Sequence, residues 1–353
     1  MKNLHSLIET ISPEKVRNIL IVKQHNQFGD MICTLPSFAA VRKKYPDAHM
    51  TLICSPENAE ILRGNNPYID KFLVYDKSSI TKIINFYFEL RKRKYEIGIV
   101  PSTVAFSRTS HIINRLSGAK IRVGVKSADN KQNSNDKYLD IKRDFHWNDE
   151  NRHQTERFLD IVRQIGCDLA GEEKKEVKIY YSPEEINFAN NFFTENFPDK
   201  SRPVISFQPG AGKIKNRWSL ENFNLLIEKL FQEFNSYILL LPGPVDKILN
   251  EELCLKLSLE NIPFVVDHFP IRITSLLLSM CDLYITNDTG TMHSAAYSGA
   301  PVISLFGPMN GWEWAPEKDN CIFIQSKTEN ITDISVEEVY QSAKNYLKKF
   351  RKI

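Results

Sequence analysis

One stretch, Leu283 to Pro316, constrains the fold more than any other part of this chain. It opens on a short apolar run, Leu283-Tyr284-Ile285-Thr286, and stops at the turn-forming cluster Asn287-Asp288-Thr289-Gly290. Small residues follow (Ser294, Ala295, Ala296, Ser298, Gly299, Ala300), and a second apolar run begins at Val302. The pattern predicts strand, glycine-containing loop, closely packed helix, strand. In such a unit the helix starts at the carboxyl edge of a parallel sheet, with unpaired N–H groups and a partial positive charge of roughly +0.5. That is a ready-made phosphate site. The hydroxyls of Thr289 and Thr291 and the ring of His293 add side-chain donors.

The rest of the chain repeats this alternation. Apolar, β-branched runs begin at Asn18, Met50, Phe72, Ile97 and Ile121 and, after a polar stretch, at Val204, Tyr237 and Phe264. Helical spacing separates them, notably over residues 79–94, 153–166 and 183–197. The order implies an α/β protein of two doubly wound, Rossmann-like domains, and 353 residues suit two such units. The polar, charged segment 167–178 reads as the linker, giving domains over 1–175 and 176–334. The final amphipathic helix, 335–353, carries Val336, Val339, Tyr340, Ala343, Tyr346 and Leu347 on one face. Residues 127–137 are polar and aperiodic and read as a mobile loop.

Composition narrows the function classes. Six scattered cysteines without a Cys-x-x-Cys pair read as buried thiols. No apolar run approaches the ~18 residues of a membrane helix, and residues 1–16 do not read as a secretory leader. A cytoplasmic protein is expected. The net charge of +3 is unevenly distributed: residues 1–150 carry 24 basic and 16 acidic side chains, with basic clusters at 42–44 and 91–94, and another at 348–352. Charge runs of this kind are usually solvated helix faces; the alternative reading is attraction to an anionic acceptor or peripheral attachment to the inner face of the membrane. No nucleic-acid-binding signature is present.

Near the start, Gly29-Asp30 leads into a helical pattern with Leu35-Pro36 close by. An Asp in that place commonly caps a helix. Pro209-Gly210-Ala211-Gly212-Lys213 follows a strand but is not a P-loop, because Phe207 and Ile214 stand where that motif needs Gly and Ser/Thr.

Taken together, Gly29-Asp30 with Leu35-Pro36, Asp288-Thr289-Gly290-x-x-His293, Gly299-x-Pro301, Leu305-Phe306-Gly307-Pro308 and the late Trp314 and Pro316 resemble the heptosyltransferase family of glycosyltransferases. The resemblance implies the GT-B fold, with two domains facing a central cleft and the last helix packing back on the first domain. It implies inverting, metal-independent transfer of heptose from ADP-heptose to a lipopolysaccharide core or related surface glycan, on an anionic lipid-linked acceptor. By the same resemblance, Asp30 is the general base. Asp288, Thr289, Gly290, Thr291 and His293 hold the donor, Asp246 contacts its ribose, and no cofactor is needed beyond the nucleotide sugar. The family's phosphate-binding lysine lies two residues before a Trp. Here Trp218 is preceded at that distance by Asn216, so Lys215 or Arg217 takes the role, with Lys213 a third choice. A same-fold nucleotide-sugar 2-epimerase, a protein-modifying heptosyltransferase and a non-catalytic nucleotide-sugar-binding protein are the alternatives.

Overall fold

The structure, a computed structural model, describes residues 11–243 and 247–351. The chain divides into two compact units, 1–177 and 178–353. In the first unit the order is β1 (Asn18–Val22), α1 (Phe28–Cys33), α2 (Leu35–Lys44), β2 (His49–Cys54), α3 (Pro56–Leu62), β3 (Lys71–Val74), α4 (Ile80–Arg91), β4 (Ile97–Ile99) and α5 (Arg108–Leu116). Then come β5 (Ile121–Ala128), β6 (Lys131–Gln132), β7 (Ile141–Phe145), α6 (Gln154–Arg163) and α7 (Glu172–Glu176). The parallel strands run β3-β2-β1-β4-β5, with β7 parallel and β6 antiparallel against β5. Ile19, Leu20, Ile21 and Val22 of β1 are all buried, as a strand covered on both faces requires.

Residues 127–137 form ordered structure rather than the expected loop. Asp129 and Asn130 take positive φ of 48° and 65°, the backbone of a tight hairpin turn between β5 and β6. Asn133 then anchors the return: its Nδ2 donates to the Val125 carbonyl at 2.7 Å and lies 3.1 Å from the His111 ring nitrogen Nε2. Side-chain amides supply order that apolar periodicity does not reveal.

The second unit contains α8 (Pro183–Asn196), β8 (Val204–Gln208), α9 (Leu220–Phe234), β9 (Tyr237–Leu240), α10 (Lys247–Leu259), β10 (Phe264–Val266) and α11 (Ile271–Ser279). It continues with β11 (Leu283–Asn287), α12 (Gly290–Ser298), β12 (Val302–Phe306), α13 (Gly311–Trp314), β13 (Cys321–Gln325) and α14 (Val336–Arg351). Its sheet is wholly parallel in the order β10-β9-β8-β11-β12-β13. Alternate residues of β8 feed opposite cores. Ile205 and Phe207 meet α9, α10 and α14, while Val204 meets α8, α11 and α12.

The stripe on α14 buries Val339, Ala343 and Leu347 in that first core with Tyr340 and Tyr346, and Lys344 pairs with Glu233 of α9 at 2.7 Å. The apolar face of this helix is thus used within its own unit. All six cysteines are free thiols; Cys33, Cys54, Cys167 and Cys281 are buried.

In both sheets the strand order reverses beside the first strand, between β1 and β4 and between β8 and β11. The crevice at such a reversal, beyond the carboxyl ends of the strands, is where open α/β sheets bind ligands. The segments 23–30 and 101–103 in one unit and 209–218 and 288–291 in the other follow those four strands.

Candidate active site

In the first unit, α1 starts one turn earlier than its apolar spacing suggests. Gln27 occupies the N-cap position without a side-chain cap, and Asp30 is the third helical residue. Asp30 therefore does not cap the helix. Its Oδ2 instead accepts from the ammonium of Lys23 at 2.5 Å. Lys23 follows β1 directly and keeps only 5% of its side-chain exposure. The Pro101 carbonyl lies 3.5 Å from its Nζ, and the Phe158 ring centroid 4.2 Å. A buried ammonium of this kind requires a counter-charge, and Asp30 supplies it.

The other carboxylate oxygen, Oδ1, makes no hydrogen bond to a described residue, and Asp30 lines a cavity of about 50 Å³ with His25, Ser102, Thr103 and Ser110. The Nε2 of His25 is buried and unpaired. Burial and, after it, the neighbouring Lys23 charge lower the pKa of that imidazole, so at neutral pH it is an uncharged donor or acceptor. The crevice of this sheet thus holds a carboxylate clamped on one oxygen and open on the other, beside three hydroxyls and a neutral ring. A larger cavity of about 390 Å³ beside β3, lined by Arg63, Asp76, Lys82 and Glu89 among others, contains none of the residues singled out in the sequence.

In the second unit Thr289 is the N-cap of α12, its hydroxyl accepting from the Met292 N–H at 3.2 Å. The N–H groups of Gly290 and Thr291 precede the first intrahelical bond and face outward from the helix start. His293 lies one turn in and is buried, with 3% exposure. Gly299 ends the helix at φ +103°, a conformation natural to glycine. Gly307, in the Leu-Phe-Gly-Pro run, is needed for close approach: a Cβ there would lie 2.8 Å from the backbone nitrogen of Ile331.

The two loops of this sheet are tied by side chains. Asn287, at the end of β11, accepts from the Trp218 N–H at 3.0 Å and donates to the Pro209 carbonyl at 2.8 Å. Asn216 donates to Asp288 Oδ2 at 3.0 Å. Burial raises the Asp288 pKa, while the Lys213 charge and the Asn216 hydrogen bond oppose the rise. Lys213 therefore stands close enough for its field to act on Asp288. Lys215 is exposed on a 3-10 turn over Ile214–Asn216, and Arg217 closes the glycine-rich loop by donating Nε to the Ala211 carbonyl at 2.8 Å. Asp246 lies outside the described residues.

The structure thus brings Asp288, Thr289, Gly290 and Thr291 together at a helix start, and Asp30 with Lys23 and His25 in the other unit. Sequence reasoning missed Lys23, His25 and Asn287. The signal available for Lys23 was a charged residue ending an otherwise apolar strand run.

Residues 83–344 match the family model described as Glycosyltransferase family 9 (heptosyltransferase). The chain belongs to that family. It is a glycosyltransferase, and its two Rossmann-like units are those of the GT-B fold. The matched span includes every candidate of the second unit and begins beyond Asp30. The lipopolysaccharide core heptosyltransferase OpsX of Haemophilus influenzae is 22% identical over 306 residues, covering 84% of this chain and 81% of that protein. Lipooligosaccharide heptosyltransferase 2 of Campylobacter jejuni is 25% identical over 186 residues, 47% of this chain and 56% of that protein, so in that match the chain spans about half its relative's length. A solved Escherichia coli structure, ADP-heptose lps heptosyltransferase II, superposes with a TM-score of 0.77 at 19% identity, covering 95% of this chain and 99% of the other.

Proposed function

We propose that this family 9 glycosyltransferase moves heptose from ADP-heptose, with inversion at the anomeric carbon, to a hydroxyl of a lipid-linked lipopolysaccharide-type core at the cytoplasmic face of the membrane. The observation that carries the reading is a pair of loop sets at the strand-order reversals, one offering a carboxylate and the other a helix start. Glycosyl transfer needs both functions. The acceptor hydroxyl oxygen forms a bond to the anomeric carbon, its proton passes to Asp30 Oδ1, and the bond from that carbon to the diphosphate oxygen breaks with its electron pair. A positioned carboxylate typically contributes 10²–10⁴-fold. Lys23 holds Asp30 in place. The leaving diphosphate is received by the N–H groups of Gly290 and Thr291, the hydroxyls of Thr289 and Thr291, and His293. Lys213 is the cation on this reading, because its charge reaches Asp288. Preorganised donors at a developing charge are the largest usual source of rate.

No metal or cofactor takes part in this scheme, and transfer is expected to be unchanged by EDTA. Heptose on ADP as donor is supported by the names of the relatives, and an anionic acceptor by the excess of basic residues over 1–150. The test is a thermal-shift panel of ADP, UDP and GDP followed by transfer from ADP-heptose to a deacylated core acceptor. At 100 times its Kd the matching nucleotide adds roughly 2.7 kcal/mol to stability. A folded protein that responds to ADP but transfers no sugar to any core acceptor sinks the catalytic reading. Sugar interconversion without acceptor would show an epimerase instead.

A further inference from the structure

We infer that the outer face of α4 is a docking surface for an anionic lipid bilayer. The inference deepens the proposed reading of a lipid-linked acceptor and rests on it for its biological sense, though the surface itself stands on its own geometry. Helix α4 is apolar on two faces. Phe86 and Leu90 are buried against the first unit's core, and Tyr87 packs beside them. Ile80, Ile84 and Phe88, at i, i+4 and i+8, share the opposite face and remain 77%, 62% and 69% exposed. An ordinary surface helix places polar residues there.

Charge identifies the occupant. Between Ile80 and Lys94 the sole acid is Glu89, turned aside and paired with both Lys71, at 3.1 Å, and Lys92. The last turn and the residues after it read Arg91-Lys92-Arg93-Lys94, all exposed. Arg91 falls on the apolar face itself and donates Nε to the carbonyl of Leu116, a further apolar side chain that is 38% exposed. The Lys92 ammonium lies 5.1 Å from the Phe88 ring centroid. Exposed aliphatic and aromatic side chains bordered by basic ones are the chemistry of a helix lying in a lipid interface, its apolar face in the acyl boundary and its cations against anionic headgroups. A two-fold contact centred on Phe88 and Arg91 would set the basic cluster close to its own symmetry mate, so a second copy of this chain fits that part of the face poorly. Among the described residues no helix is long and apolar enough to cross a membrane, so the contact is peripheral.

The test is co-sedimentation of the full chain with phosphatidylcholine vesicles and with vesicles of phosphatidylcholine and phosphatidylglycerol. Binding is expected only with phosphatidylglycerol and is expected to weaken with salt. Ile84→Glu with Phe88→Glu, and separately Arg91→Glu with Lys92→Glu, should each lower the partition coefficient by about tenfold or more. These positions are exposed, so the variants should keep their circular dichroism and their response to ADP. Wild-type protein that ignores phosphatidylglycerol vesicles, or variants that bind them like wild type, would overturn the inference. So would a lipid-free dimer abolished by Phe88→Glu, which would make the face a self-interface. Failure of the ADP response with vesicle binding intact would count against the glycosyltransfer reading and leave the docking surface standing.

Discussion

Replacing Asp30 by Asn tests whether the carboxylate is a base or only the counter-ion of Lys23, and the structure fixes what else the substitution does. At 2.5 Å the two charges attract by roughly 7 kcal/mol at an effective dielectric constant of about 20. Desolvation of two ions offsets most of that, at several kcal/mol each. The pair as a whole is therefore near neutral for stability, but removing one partner strands the other. Side-chain exposure is 5% for Lys23 and 13% for Asp30. Loss of the carboxylate thus falls near the lower end of the usual cost of breaking a buried pair, about 3 kcal/mol. For a unit of this size that lowers Tm by about 6–12 °C. Lost activity in Asp30→Asn alone would be ambiguous for that reason. The double variant Lys23→Met/Asp30→Asn removes the stranded charge and should recover most of the Tm, with a coupling energy of about 2 kcal/mol across the cycle. Its transfer rate, measured by ADP release with acceptor present, should stay two to four orders of magnitude below wild type. A double variant that regains both Tm and rate would show that Asp30 serves only to neutralise Lys23.

Four further outcomes are expected. Asp288→Asn should raise Tm at pH 7, because burial favours the uncharged form of that side chain and the amide carries no charge. The gain should shrink as pH falls toward about 3.8, where Asp288 is protonated in both states; an unchanged or lower Tm at pH 7 would count against it. Lys213→Ala should weaken ADP binding more than Lys215→Ala in calorimetry, and the reverse order would return the cationic role to Lys215. Burial lowers the pKa of His25 and of His111, so the unfolded chain takes up protons first as pH drops. Stability of the first unit should therefore be full above about 6.5 and decline below it, as denaturant melts at pH 7.5 and 5.5 would show. Gly307→Ala should reduce Tm by a few °C or more, since its Cβ would meet Ile331 backbone that cannot simply rotate away.

Both sheets are legible in the sequence because a parallel strand covered on two faces must be apolar throughout, as NILIV of β1 and VISFQ of β8 nearly are. The helix start at Thr289 is legible for the same local reason: a hydroxyl cap and small residues are written within ten positions. Lys23 is different. One residue past a strand, a lysine reads as a solvated end, and Phe158 from α6 and Pro101 after β4, far along the chain, help to enclose it. His25 is hidden for a similar reason, since Ser102, Thr103 and Ser110, which share its cavity, come from a distant part of the chain. The partner of α14 is equally unreadable, since an apolar stripe states that a face is buried and not against which unit.

The 209–218 loop shows most clearly where spacing stops being informative. Counting back from Trp218 places an amide, Asn216, where the resemblance calls for a lysine. The count itself is sound: Asn287 fixes the Trp218 backbone, and Asn216, two residues earlier, meets Asp288, the next residue after Asn287. A hydrogen bond needs that register because donor and acceptor must lie within about 3 Å of each other. A counter-charge does not, because its field acts over several ångströms and is screened only beyond about 8 Å at physiological salt. Lys213 can influence Asp288 from a neighbouring turn of the loop with no fixed spacing from Trp218. On the reading proposed above, a cation in this loop is therefore to be sought by distance to Asp288 and not by position relative to the tryptophan.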